Sequence, residues 1–251
     1  PPEEVIESEN GLTFNGIIRK NGLGYTIRIK IVQQGGSVKV AHQRIVVEKA
    51  NEATVFYAVD TEYAPVYPLY KGENPQQNTG KVITKAITKG YETVKNTHIS
   101  DYQTLYNRVR FTLTGDTASE QLPTNMRVKQ LQKGFTDDAS LKVLGFNLSR
   151  YLLISASRPG TLPSTLQGVW NTFEKAPWNG NFQSNINLQE MYWGCGPTHL
   201  PECEEAYLEW IEGLVEPGRQ TAREYYGTKG WVSHSTGNIW GHTVPGDDIL
   251  W

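Results

Sequence analysis

The apolar residues change period once along the chain, from two to between three and four, and this constrains the fold more than any other feature. Through roughly the first sixty residues they alternate as half-buried strands do. In Tyr25-Thr26-Ile27-Arg28-Ile29-Lys30-Ile31 the Tyr and Ile side chains share one face and Thr26, Arg28 and Lys30 the other. Arg44 to Glu48 and Thr54 to Val59 read the same way, and Gly35-Gly36 punctuates the strand Val38 to Val40 as a hairpin turn would. Antiparallel sheet with one wet face is the expectation. From Asp137 the pattern is helical. Leu141, Leu144, Leu148, Tyr151 and Leu152 follow Asp137 or Asp138, either of which can cap the helix. Pro201 to Arg223 carries Tyr207, Trp210, Ile211 and Leu214 on one stripe, with Glu202, Glu204 and Glu205 suiting the positive end of the helix dipole. Pro217-Gly218 should break or kink that helix, and Gly227 should close it.

Between these regimes Pro65 to Gly80 crowds Pro, Gly, Asn and Gln into a loop, and Val82 to Tyr106 reads as one long helix. Arg108 to Thr114 alternates again and is expected to rejoin the sheet, and Leu122 to Thr136 reads as a linker with a short helix. Strands first and helices after is an α+β multidomain order. The expected division is a β domain over residues 1–118 with a helical excursion at about 82–106, a linker over 119–136, and a helical domain over 137–251.

Composition narrows the function. With 24 basic against 26 acidic side chains the chain has no charge excess to hold a polyanion, so no nucleic-acid partner is expected. No run reaches the ~18 apolar residues of a membrane span. Cys195 and Cys203 do not make a metal set, are expected to be packed thiols, and leave no metal or cofactor implied. The oligomeric state is open. The 7 Trp and 13 Tyr against 7 Phe favour rings with an apolar face and a polar handle.

Those rings concentrate in Ser157 to Asn171, SRPGTLPSTLQGVWN, and Pro177 to Trp193, PWNGNFQSNINLQEMYW. Indole faces stack on the C–H surfaces of a pyranose, and carboxamides bond its hydroxyls without adding charge. Trp170, Asn171, Trp178, Gln183 and Trp193, with His234 and Trp240 further on, are therefore candidate sugar-binding residues. Asn185 and Asn187 flank Ile186, and in an extended segment such a pair projects from one side. Two neutral carboxamides can orient a water but cannot take its proton near neutral pH. Alternatively, Asn at a helix start simply satisfies free backbone groups. Asn147-Leu148-Ser149 matches a glycosylation sequon but falls in a helix expected to be packed.

The order SRPG, LP, LQG, WN, PW, NIN, YW resembles glycoside hydrolase family 95, whose founding activity is 1,2-α-L-fucosidase. The resemblance implies a β-sandwich, a helical linker and an (α/α)6 barrel whose inner helices line a cleft. It also implies that Asn185 and Asn187 hold the attacking water with a distant Asp while a later Glu is the general acid, both expected beyond Trp251. The implied activity is an inverting exo-glycosidase on terminal α-L-fucosyl or α-L-galactosyl residues. Its substrate would be a fucosylated or L-galactosylated oligosaccharide, and by analogy its location would be secreted or periplasmic. Six helix pairs need roughly 300–400 residues. Only the first barrel helices are therefore expected here, with Tyr207, Trp210 and Leu214 partly bare. The sequence departs from the family pattern at Phe182-Gln183, where Tyr-His is common, at Met191, and at Asn238, where an Asp is usual. These departures motivate the alternative of a binding homologue without catalysis.

Overall fold

The computed structural model describes residues 2–115, 118–134, 137–169, 171–173 and 175–246. The chain divides into two compact units, Pro1–Ser100 and Asp101–Trp251, so the second unit begins ahead of the expected linker at 119–136.

The first unit is built on strands β1 (Glu4–Ser8), β2 (Gly11–Ile18), β3 (Leu23–Gln34), β4 (Ser37–Ala41), β5 (Arg44–Glu48) and β6 (Glu52–Thr61). An antiparallel sheet runs in the order β1-β2-β3-β6, and β4 pairs with β5 separately. Ile27 faces Phe14 on one side and Val59 on the other, so the alternating apolar face is continuous across the strands. Gly35-Gly36, at φ 69° and 64°, punctuates the chain between β3 and β4 as expected, although those two strands do not pair, and a second tight turn lies at His42-Gln43, between β4 and β5. Both residues there have positive φ, 51° and 59°, which suits the twist of a two-residue hairpin.

Helix α1 (Pro75–Lys89) starts earlier than the expected 82, because Asn74 caps it by accepting from the N–H groups of Gln76 and Gln77. The long helix expected over 82–106 is two, α1 and α2 (Tyr91–Tyr106). Gly90 separates them at φ 76°, a backbone that residues with a Cβ rarely adopt, and its N–H closes α1 onto the carbonyls of Ala86 and Ile87. The expected wet face of the sheet is also corrected. α1 lies against β3 and β6 on the side carrying Arg28, whose Nη2 donates to the Gln76 carbonyl at 3.1 Å. Val55, Tyr57 and Val59, on the apolar face, remain exposed.

In the second unit Arg108 to Thr114 is not a strand. Among the described residues it pairs with no strand, and Arg108 instead donates through Nη1 and Nη2 to the two oxygens of Glu202, each at 2.8 Å. That fork holds the Glu202 carboxyl at about 2. Helix α3 (Thr124–Gln132) is the short helix of the linker, and α4 (Ala139–Ala156) is capped by Asp138, which accepts from the Leu141 N–H at 2.9 Å. Asp138 and Arg127 are both buried and joined by two hydrogen bonds of 2.8 and 2.6 Å. Helices α5 (Asn187–Tyr192), α6 (Pro201–Gly213) and α7 (Val215–Tyr226) follow. The expected helix from Pro201 to Arg223 breaks at Leu214, ahead of Pro217, because proline is tolerated in a first helical turn, where its missing N–H would have no intrahelical partner. Gly227 closes α7 in the left-handed conformation.

The core of this unit gathers Ile154, Phe182, Leu188, Tyr192, Leu200 and Trp210, with Cys195 and Cys203 fully buried among them. Burial raises the Cys195 thiol to about 12, which makes it a packing group and not a nucleophile. Of the stripe expected to be partly bare, Tyr207 is half-buried, whereas Trp210 is 8% exposed and Leu214 3%, with Phe182 and Gly237 packed on Trp210. The sequon residue Asn147, expected in a packed helix, is half-buried on α4. Among the described residues no helix is long and apolar enough to cross a membrane. The α+β order is as expected, while the sandwich and the closed barrel are not formed by these elements alone.

Candidate active site

The site is assembled where two distant segments pair. β7 (Phe182–Gln183) runs antiparallel to β8 (Thr236–Gly237), with Phe182 opposite Gly237 and Gln183 opposite Thr236. Phe182 is buried and meets the Trp210 ring edge-on at 5.0 Å between centroids. Position 237 must be glycine, since a Cβ there would stand 2.5 Å from Cζ2 of Trp210. The Trp210 indole N–H donates to the Asn238 carbonyl at 3.2 Å, which completes the lock.

Beside this lock lies an open pocket of about 320 Å³. Its apolar wall is α6 and its end, through Tyr207, Trp210, Ile211 and Leu214, and Trp231 forms another side. Ser184 and Asn185 line it from the loop ahead of α5, Gln189 from α5 itself, and Ser233 to Ser235 from the segment leading into β8. An aromatic and aliphatic wall facing a rim of hydroxyls and carboxamides suits a polyhydroxylated ring with apolar C–H faces. Among the described residues the lining holds no carboxylate.

Asn185 is exposed and lines the pocket. Asn187 is half-buried, opens α5 and does not line it. The two do not share one extended run, since Ile186 turns the chain at φ −163° and ψ −35°. No side chain caps α5, so neither asparagine is a helix cap, and among the described residues neither carboxamide is bonded to protein.

Of the other candidates, Gln183 is half-buried in β7 next to the pocket and His234 lines it. Both ring nitrogens of His234 are engaged. Nδ1 lies 2.7 Å from the Thr243 carbonyl, which accepts its proton, and Nε2 lies 2.7 Å from the Tyr226 hydroxyl, which donates to it. The imidazole thus braces the site and holds no free donor for a sugar. Trp178 and Trp193 are each 63% exposed outside the pocket lining, Trp178 in a left-handed backbone at φ 50°. Trp240 is half-buried and is also outside it, and the exposed Asn171 accepts from the Phe173 N–H in a local turn. Trp170 lies outside the described residues. Asn238, the departure from the usual Asp, accepts from the N–H groups of Trp240 and His242 at 2.8 and 3.2 Å. An amide oxygen fills that role as well as a carboxylate oxygen would.

Trp231, Ser233, Gln189 and Ser184 were not singled out from the sequence. The Gly-Trp-Val-Ser-His run at 230–234 could have signalled the first two, as an indole beside a hydroxyl and an imidazole. Ser184 and Gln189 carry no local signal, because their roles are bonds to chain made after folding.

Comparison with known proteins places this geometry in a class. The model of the glycosyl hydrolase family 95 catalytic domain matches residues 90–251, and the chain belongs to that family. It is 36% identical to Alpha-L-fucosidase 2 of Arabidopsis thaliana over 219 residues, 85% of this chain and 26% of that protein. It is 34% identical over 242 residues to Probable alpha-fucosidase A of Aspergillus niger, 92% of this chain and 30% of that one. The corresponding figures for Probable alpha-fucosidase A of Aspergillus oryzae are 37% over 178 residues, 69% and 24%. The chain therefore spans about a quarter to a third of the length of these relatives.

Proposed function

We propose that this chain carries the water-orienting and part of the sugar-binding portion of an inverting exo-glycosidase that removes terminal α-L-fucosyl, or the closely related α-L-galactosyl, residues from glycans. The observation that carries the reading is Asn185, a carboxamide unbonded among the described residues at the rim of a pocket walled by Trp210, Trp231 and Tyr207. Inversion needs an acid on the leaving oxygen and a base for water, the two carboxyls roughly 6.5–9.5 Å apart. The described lining supplies neither, so on this reading the carboxylates come from elsewhere in the intact protein, and Asn185 and Asn187 orient the water between them. The sheet of the first unit then belongs to a β-sandwich and α4 to α7 to an (α/α)6 barrel, in a secreted or periplasmic protein. The departures from the family pattern at Gln183, Met191 and Asn238 motivate, as the second reading, a homologue that binds the sugar without cleaving it.

The test is hydrolysis of 2′-fucosyllactose and of an α-L-galactoside by the intact protein. Asn185→Ala and Asn187→Ala should each lower kcat by the equivalent of about 2–4 kcal/mol with little change in KM, since an oriented water belongs to the transition state. Gln183→His should shift the preference between the two sugars instead. Wild-type inactivity on both, with sugar binding retained in calorimetry, would establish the second reading.

A further inference from the structure

We infer that Gln189 is a positioning residue, whose side chain sets the path of the loop carrying the water-orienting asparagines; this rests on the function proposed above. Its Nε2 donates to the Ser184 carbonyl at 2.6 Å and so closes Ser184 to Gln189 into a small ring. Asn185 and Asn187 lie within that ring. Ser184 is in turn fixed from outside: its N–H donates to the Ser235 carbonyl at 2.8 Å, and its hydroxyl reaches the carbonyls of His234 and Ser235 at 3.0 and 3.1 Å. Leu188, fully buried, anchors the far end. The near end of the loop is thus held to one segment and the far end to the core, and Gln189 joins the two.

Two further observations single this amide out. The first turn of α5 lacks any side-chain cap, and Ile186 ahead of it is in neither helical nor extended backbone, so the usual device for fixing a helix start is missing where the asparagines sit. The tie from Gln189 takes its place. Moreover, Gln189 Oε1 is buried with no hydrogen-bond partner among the described residues. An amide that satisfies its donor and leaves its acceptor dry gains little net stability, because the unmade bond offsets the one that is made. Placement of the loop explains it better than stability does.

Gln189→Met keeps the length and loses the donor. In the intact protein it should raise amide exchange at residues 185–187 by about tenfold or more while leaving α6 unchanged. It should also lower kcat by about 10–100-fold with KM within about twofold, the scale on which a misplaced catalytic group acts. Combined with Asn185→Ala it should add less than about threefold to the loss from Asn185→Ala alone, since the two act through one water. Gln189→Glu supplies a second readout. Its carboxylate repels the Ser184 carbonyl but its protonated form can donate to it, so its rate relative to wild type should climb as pH falls from about 7 towards the ordinary carboxyl range near 4.3. If Gln189→Met does not fold, Gln189→Glu carries the test. Unchanged exchange and kcat in Gln189→Met, a multiplicative double mutant, or a flat rate ratio for Gln189→Glu would each overturn the inference. A wild-type rate in Asn185→Ala would instead overturn the proposed function, and the exchange measurement would still decide whether Gln189 holds the loop.

Discussion

Helices α4 and α6 both present apolar residues at helical spacing, and they meet opposite fates. On α4 the residues Leu144, Leu148, Tyr151 and Leu152 are between 42% and 56% exposed, whereas on α6 Trp210 is buried and Leu214 just beyond it is 3% exposed. Apolar content does not separate them in the expected sense, since α4 is the more apolar of the two in sequence. What turns α4 is Arg150, 2% exposed, which donates to the carbonyls of Leu105 and Tyr106 at the end of α2 and to those of Val109 and Thr198. Carbonyls at a helix end lack intrahelical partners and a buried guanidinium needs acceptors, so these carbonyls and the two Nη groups satisfy each other, while Nε is buried without a partner among the described residues. Once Arg150 points inward, Ile154, one turn away, goes with it and the leucines face out. On α6 the deciding partners are Phe182 and Gly237, which close over Trp210 from a strand pair remote in sequence. An apolar stripe states that a helix wants a partner, and a few polar or small residues elsewhere choose which side finds one.

The largest expected effect lies on the covered helix. Trp210→Ala should cost about 3–5 kcal/mol in urea denaturation, through the lost burial and the cavity left between Phe182, Gly237 and Tyr207. Next is Tyr192→Phe. The Tyr192 hydroxyl is 2.6 Å from the buried Ser157 hydroxyl and accepts from the Ser164 N–H at 3.1 Å. Its removal strands both and should cost about 1–3 kcal/mol by the same measurement.

A third test probes the start of α4. The Arg127 fork, with the Leu141 N–H and the Ser140 hydroxyl, holds the Asp138 carboxyl down from 3.8 to about 2. A carboxyl depressed in the folded state contributes stability that is present above its ordinary value and lost as pH falls through the folded one. Wild type should therefore lose stability between about pH 4 and pH 2, and Asp138→Asn should be less stable at neutral pH with a flatter acid limb in pH-dependent melts. The smallest effect belongs to the bare face. Leu148→Ser should change the stability of the 251-residue chain by no more than about 0.5 kcal/mol. A loss comparable to that of Trp210→Ala would abolish the contrast between the two helices.

The elements themselves were legible in the sequence where one residue acts on its own neighbours. Asp138 caps α4, Gly227 closes α7, and Ile27 to Ile31 alternate as a strand, because caps and pleats are set within a few residues. The Asn185 and Asn187 pair was legible as a motif, and the family it marks is the family to which the chain belongs. What the sequence could not supply was any choice between faces or partners. The seat of α1 on the Arg28 side of the sheet and the rotation of α4 each turn on which group lies opposite after folding.

The candidate site divides along the same line. Residue type determined that this chain has indoles, hydroxyls and carboxamides suited to a sugar, and local order determined that two asparagines precede a short helix. Tertiary structure alone decided that Asn185 and not Asn187 lines the pocket, that His234 is occupied by Tyr226 and Thr243, and that Gln189 ties the loop to Ser184. The physical reason is range. A backbone preference or a cap spends its free energy within one turn of chain, while the pocket exists only because Phe182 and Gly237 pair across more than fifty residues of sequence.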